Sequence, residues 1–391
     1  MCELVFWFSS KLTPLLSQDK NFIISPVSLY TILDLVVQGS DGETKTQIEN
    51  VLGCKEFISY EEIKRKVKTA ELTLKNSGSC TIPPCGASKL FMETGAFVDK
   101  NTPLLPEFTA NLKNTSRFEL VEFMNADATA NTINTWASTS TNNLIPTITQ
   151  REEILPNMKM IFVNIIYFKG SWMNKFDPAN TQQEVFHGLQ GDKTVPMMHL
   201  EGKFMVAYNS GLKFMMVILP YSGLNISMGL ILPEEGTDTA QIMKNMHTGE
   251  LNQICENETP DAVIETEVSL KVPKFTFNVE VPLKEHMKRL GVKDLFEKGK
   301  ANLKKMSSLE LYVDEIIHIA NIDVNEEGSE AAAISKVSVV ENRMMDDGPT
   351  QMFFNRPFLF KIFSNDEKIP LFMGQVLNVE INSNSAPVNP V

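Results

Sequence analysis

Every strongly apolar run in this chain stops early. Met160 to Phe168 reads MIFVNIIYF, Lys213 to Pro220 and Ile226 to Pro233 follow, and Pro220-Tyr-Ser-Gly223 stands between the last two as a turn. The runs are strand-length and rich in β-branched and aromatic residues, and the prolines that close two of them neither donate to a sheet ladder nor continue a helix. None approaches the roughly 20 apolar residues of a membrane helix, so no transmembrane span is expected. Val268 to Phe277 reads as a further strand around Pro273, and Met352 to Phe354, Phe358 to Phe363 and Pro370 to Val379 as three more.

The front of the chain has another period. Leu29, Ile32, Leu33 and Val36 fall at i, i+3, i+4 and i+7 behind Ser25-Pro26, a capping serine and a first-turn proline. Val281 to Leu290 reads as a second helix, stopped at Gly291. A helix-rich N-terminal part followed by strands that do not alternate with helices predicts an α+β fold with mostly antiparallel sheets. Length alone suggests two or three domains, but no repeat and no Gly/Ser/Pro linker divides the 391 residues, so no domain boundary is expected. Residues 382–391 are polar and proline-containing and read as a mobile tail.

Asp and Glu number 48 against 36 Lys and Arg, a net charge of −12 that opposes binding to nucleic acid or an anionic membrane. One basic run, Lys64, Arg65, Lys66 and Lys68, reads as a solvated helix face, with a polyanion such as a glycosaminoglycan as the alternative. The cysteines contain no CxxC pair to seed a metal site, and Cys80 and Cys85 either close a small ring or stay as two thiols. Met1 to Leu16 lacks the positive start of a secretory signal. The sequons at Asn114, Asn225 and Asn257 nevertheless fit export, and an extracellular or cell-surface glycoprotein is expected, with the cytoplasm as the alternative.

Catalytic constellations do not emerge. GxSxG, HExxH, GxxxxGK[ST] and a strand-borne GxGxxG do not occur. His318, behind Ile316-Ile317, reads as a buried structural histidine. No enzyme, metal or cofactor is implied, and any chemistry falls to a partner.

Residues 324 to 345, VNEEGSEAAAISKVSVVENRMM, carry the distinctive pattern. Ser329 could cap a short helix through Ala331 to Ala333. On a period of two, Ser329, Ala331, Ala333 and Ser335 instead share one face and are all small. Such a strand could enter a crowded sheet without displacing neighbours, with Gly328 as a permissive hinge. The pattern describes an exposed loop able to become a strand.

Seven blocks in order then resemble the serpin family over nearly the whole chain. They are NFIISPVSL (21–29), FVNIIYFKGSW (162–172), LPYSGLNISMGLILP (219–233), PKFTF (273–277), VNEEGSEAAA (324–333), MFFNRPFLFKI (352–362) and PLFMGQV (370–376). Because these blocks run from residue 21 to 376 without a break, the resemblance implies a single serpin domain over residues 1–381, helix-rich in its N-terminal half, with three mostly antiparallel sheets and an exposed reactive-centre loop at about 327–350. It implies a monomeric, metastable suicide substrate that traps a serine protease as a covalent acyl-enzyme. Glu326, Glu327, Gly328, Ser329, Glu330, Ala331, Ala332 and Ala333 match the hinge. Ser25, Ser28, Asn164 and His318 match the shutter, the polar cluster where strands part, and Trp172 matches the breach at the sheet's top.

The family spacing leaves the reactive bond open by one residue. Fourteen residues on from Gly328 is Asn342, and fourteen back from Pro357 is Arg343. Arg343-Met344 is expected, because a guanidinium suits the buried carboxylate of a trypsin-like pocket. Asn342-Arg343 is the neighbouring choice, and Met344 or Met345 would suit a chymotrypsin-like or elastase-like enzyme. A non-inhibitory carrier, chaperone or storage protein is the rival reading, which the small residues of the hinge disfavour.

Overall fold

The computed structural model describes residues 11–13, 15–16, 19–53, 65, 89–141, 143, 145–222, 225–245, 263–327, 348–365 and 369–379. Its strands are β1 (Phe22–Ile24), β2 (Lys89–Asp99), β3 (Arg117–Val121), β4 (Met160–Lys169), β5 (Gln182–Gly188), β6 (Gly191–Asn209) and β7 (Phe214–Pro220). β8 (Ile226–Pro233), β9 (Val263–Pro273), β10 (Phe275–Pro282), β11 (Glu315–Val324), β12 (Thr350–Phe353), β13 (Phe358–Ser364) and β14 (Pro370–Val376) follow. They form two hydrogen-bonded networks. One runs β10-β11-β4-β2-β3, and the other β1-β14-β13-β8-β7-β6-β9-β12 with β5 beside β6. The second joins two of the three expected sheets, because β6 is 19 residues long and pairs with β5 and β9 as well as β7.

Helix Pro26–Gly39 forms where the periodicity places it. The Ser25 hydroxyl accepts the Ser28 N–H and Pro26 occupies the first turn. The helix packs against both β14 and β4 and so lies between the sheets. Eleven of its residues are buried, which explains why its sequence is apolar almost all round.

Helix Ala126–Ser140 covers the other face of the five-stranded sheet. Ile133, Trp136 and Ala137 join Phe97, Ile161, Val163, Ile165 and Ile319 in a second core. Phe162 and Ile166 of the same β4 belong to the main core. Both faces of β4 are therefore covered, which accounts for its unbroken apolar run. Close approach here requires Gly95, where a Cβ would lie 2.9 Å from the Trp136 ring.

Several expectations shift at boundaries, among them the last strand, which ends at Val376 rather than Val379. The strand expected over 268–277 is two strands, β9 and β10, separated at Lys274 and carried into different networks. Pro273 has no N–H with which to continue the ladder. The second helix spans Lys284–Leu290, and Gly291 ends it at a φ of 109°. β2 and β3 interrupt a front third that reads as helical. β2 lies centrally, between β4 and β3, where its residues 96–98 are buried in succession and show no alternation.

Candidate functional site

The residues expected at the shutter and the breach gather along the seam between β4 and β11 in the five-stranded sheet, the line that the serpin resemblance expects to part. These strands run parallel, in register from Glu315 opposite Ile161 to Ile322 opposite Phe168. Parallel ladders hold slightly less well per residue than antiparallel ones. β11 ends at the top of this line, and β12 pairs with β9 in the other network.

Halfway along, His318 and Asn164 are register partners and both are fully buried. The Ser25 N–H donates to His318 Nε2 at 3.0 Å, and Nδ1 lies 3.0 Å from Asn164 Oδ1. A nitrogen that accepts from a backbone N–H carries no proton, so the imidazole is neutral with its hydrogen on Nδ1, donating to Asn164. Asn164 Oδ1 also accepts the Ser28 hydroxyl. Its Nδ2 donates to the Glu93 carbonyl at 3.4 Å and to Thr94 Oγ1 at 3.3 Å. Helix Pro26–Gly39, β2, β4 and β11 are thus tied at one point. Burial lowers the His318 pKa to about 3. The four expected shutter residues come together, and Thr94 joins them without any signal in its local sequence.

At the top, Trp172 is buried and stacks on Tyr221, ring centres 4.5 Å apart and planes 14° apart. Tyr221 packs edge-on to Phe168 at 4.8 Å. A Cβ on Gly170 would lie 2.5 Å from the Tyr221 ring, so the stack needs glycine there. Trp172 Nε1 donates to the Asn325 carbonyl at 2.9 Å, its backbone N–H to Glu327 at 3.2 Å, and the Phe176 N–H to Glu326 at 3.0 Å. The last residues before the hinge glycine are therefore fastened across the top of the line. Glu326 is 8% exposed, bonded by the Lys274 ammonium at 2.8 Å and the Thr181 hydroxyl at 2.8 Å. Burial pushes its carboxyl up, but the Lys274 and Thr181 bonds outweigh this and hold it below the ordinary glutamate range.

Of the residues expected at the breach and hinge, Trp172, Glu326 and Glu327 lie together at the top of the line. Gly328, Ser329, Glu330, Ala331, Ala332 and Ala333, and Asn342 to Met345, lie outside the described residues, as do Lys64, Lys66, Lys68, Cys80, Cys85, Asn257 and residues 382–391. Arg65, Asn114 and Asn225 are exposed. Sequence reasoning misses Tyr221, Lys274 and Thr181. Each is an ordinary turn or loop residue until the fold brings it to the top of the line. No helix among the described residues is long and apolar enough to cross a membrane.

The family model for serpins, serine protease inhibitors, matches residues 7–379. The chain belongs to the serpin family. Serpin relatives include a leukocyte elastase inhibitor of Xenopus tropicalis, 33% identical over 91% of this chain and 92% of its own. Intracellular coagulation inhibitor 2 of Tachypleus tridentatus is 31% identical over 93% and 86%. Native protease nexin-1, solved with heparin, superposes with a TM-score of 0.81 at 26% identity, covering 96% of this chain and 98% of that one. Relatives of this kind are protease inhibitors and not enzymes, and the partner class is a serine protease.

The expected extracellular or cell-surface placement is corrected by these serpins. A relative spanning nine-tenths of the chain is named an intracellular inhibitor, which points away from the cell exterior. The sequons that suggested export are short patterns that arise readily by chance, and exposure of Asn114 and Asn225 is the common state of asparagine. A sequon is a glycosylation site only in a secreted protein.

Proposed function

We propose that this serpin is a suicide substrate that traps a trypsin-like serine protease through Arg343-Met344. The supporting observation is the junction at the top of the parting line. Glu327 is held there by Trp172, and Gly328 with the small face of Ser329, Ala331 and Ala333 comes next in the chain. A strand starting at that point has direct access between β4 and β11.

In the proposed reaction the protease serine attacks the Arg343 carbonyl. The Arg343–Met344 amide breaks, the Met344 nitrogen takes the proton from the catalytic histidine, and Arg343 remains as an ester on the protease. The freed segment then adds to the sheet as a new strand between β4 and β11. Loop insertion by serpins is an established example of strand addition that releases stored strain. It draws the esterified protease away from its docking position before water can hydrolyse the ester. The unreacted form is held by a barrier rather than by being the most stable packing.

We assign the protein to the cytoplasm, a reading supported by relatives named intracellular inhibitors, and take it as a monomer with residues 1–381 as one domain. Polyanion binding stays outside the proposal. The heparin in the nexin-1 structure belongs to that protein, and a net charge of −12 opposes it here.

A second reading is favoured by the name leukocyte elastase inhibitor among the relatives. Met344 or Met345 would then precede the cleaved bond. Incubation with trypsin and, separately, with leukocyte elastase, followed by denaturing electrophoresis and mass spectrometry, tests both. A stable trypsin complex cleaved after Arg343 is the expected result. An elastase complex cleaved after a methionine selects the second reading, and cleavage without a complex selects a non-inhibitory serpin.

A further inference from the structure

The parting line has another fastening at its foot, opposite the hinge. β4 begins at Met160 and β11 at Glu315, and Asp314 reaches across just before those points. Its Oδ2 accepts the Lys159 N–H at 2.5 Å and the Met160 N–H at 3.0 Å. The Asp314 N–H returns a bond to the Met160 carbonyl at 2.9 Å. One step further out, the Tyr312 hydroxyl donates to the Asn157 carbonyl at 3.4 Å. A carboxylate that accepts two backbone N–H groups makes bonds roughly twice as strong as neutral ones. This is a clasp between the lead-ins of the two strands that must separate.

The reach of an inserted strand places the clasp in its path. A strand that turns back after residues 325–328 and runs antiparallel to β11 faces Val324 with residue 329. Each later residue then faces one earlier in β11. On that count about residue 339 comes opposite Asp314. A reactive bond at Arg343 leaves about four more residues, or ~13 Å at about 3.3 Å each, to pass the foot. The first ten or so residues can enter with the clasp shut, on this strand rise, and the last few cannot.

We propose that Asp314 is a positioning residue for inhibition, whose clasp on Lys159 and Met160 governs how far the inserted strand travels rather than whether insertion begins. This rests on the insertion reading given above. An end cap that merely stabilised the sheet would loosen the whole line when removed. A foot clasp acts only on the part of the strand that reaches it.

The test uses the full chain with two synthetic peptides of its own sequence, residues 329–336 and residues 329–342, whose uptake into the sheet is timed on native gels. Asp314→Ala should take up the long peptide about tenfold faster than the wild type, as loss of a charge-assisted bond implies, and the short peptide at the wild-type rate. Asp314→Asn keeps an oxygen for both N–H groups without the charge and should fall between, at about threefold. It carries the test if the alanine variant does not fold. Equal long-peptide rates in the wild type and the foldable variants overturn the clasp, and so does equal acceleration of both peptides. A wild-type chain that takes up neither peptide overturns the insertion reading itself.

Discussion

His318 and Asn164 stand opposite each other on β11 and β4, and the imidazole donates to the amide oxygen across the seam between the two strands. Every polar atom of that pair is used. Ser25, Ser28 and Thr94 and the Glu93 carbonyl take up the rest. In a buried site, a half-dismantled network costs more than the bonds it loses.

Asn164→Ala removes the acceptor of the His318 and Ser28 donors together. We expect the native form to lose about 2–4 kcal/mol, the cost of leaving buried donors unpaired. Thermal unfolding should show a lower midpoint and faster spontaneous insertion of the uncleaved loop. An unchanged midpoint would remove Asn164 from the fastening.

The neutral His318 sets a pH window. Its folded pKa, about 3, lies below the ordinary 6.5, so between these values the unfolded chain binds a proton that the native form does not. Stability from this group is therefore complete above about pH 6.5 and is lost as pH falls toward 3, with a slope approaching ~1.4 kcal/mol per unit. The imidazolium would also set an N–H against the Ser25 N–H. Unfolding of wild type and His318→Gln compared at pH 7 and pH 5 isolates this contribution. The wild type should lose more stability than the variant, and equal losses would show that another group titrates.

The Glu326–Lys274 pair spans the top of the line, with the lysine side chain 39% exposed and the glutamate 11%. Solvent reaches the ammonium, so the coupling should be about 1 kcal/mol. A double-mutant cycle with Glu326→Ala and Lys274→Ala measures it in the native form. The glutamate variant alone should cost more, since Thr181 loses its acceptor as well. Additive single effects would mean that the pair does not hold the breach.

Two loop substitutions separate specificity from mechanism. Arg343→Ala should abolish the trypsin complex while leaving the thermal midpoint unchanged. Ser329→Arg puts a long charged side chain on the inserting face and should turn the inhibitor into a substrate, cleaved at the same bond without a lasting complex. Trypsin inhibition that survives the first excludes Arg343, and full inhibition by the second excludes insertion of that face.

Much of the fold is legible in the sequence because its signals are local. Ser25-Pro26 with the apolar spacing behind it predicts a helix that forms at Pro26, and Pro220 and Pro233 end strands where they stand. β2 escapes such reasoning. A strand covered on both sides has no alternation to show, and Gly95 acts through the Trp136 ring of a distant helix. Pro273 signals a break, yet only the fold shows that the two halves part into different networks.

The site divides along the same line. Ser25, Ser28, Asn164, His318 and Trp172 are legible as members of ordered blocks, and the small face of the hinge is legible from a period of two. The sequence alone determines that this chain is a serpin. Tertiary structure decides which residues fasten β4 to β11 and the chain that follows β11. Lys274 meets Glu326, Tyr221 meets Trp172 and Asp314 meets Lys159 only after folding. Contacts between residues far apart in the chain leave no periodicity behind, and they exist only once two parallel strands, more than 150 residues apart, have been laid side by side.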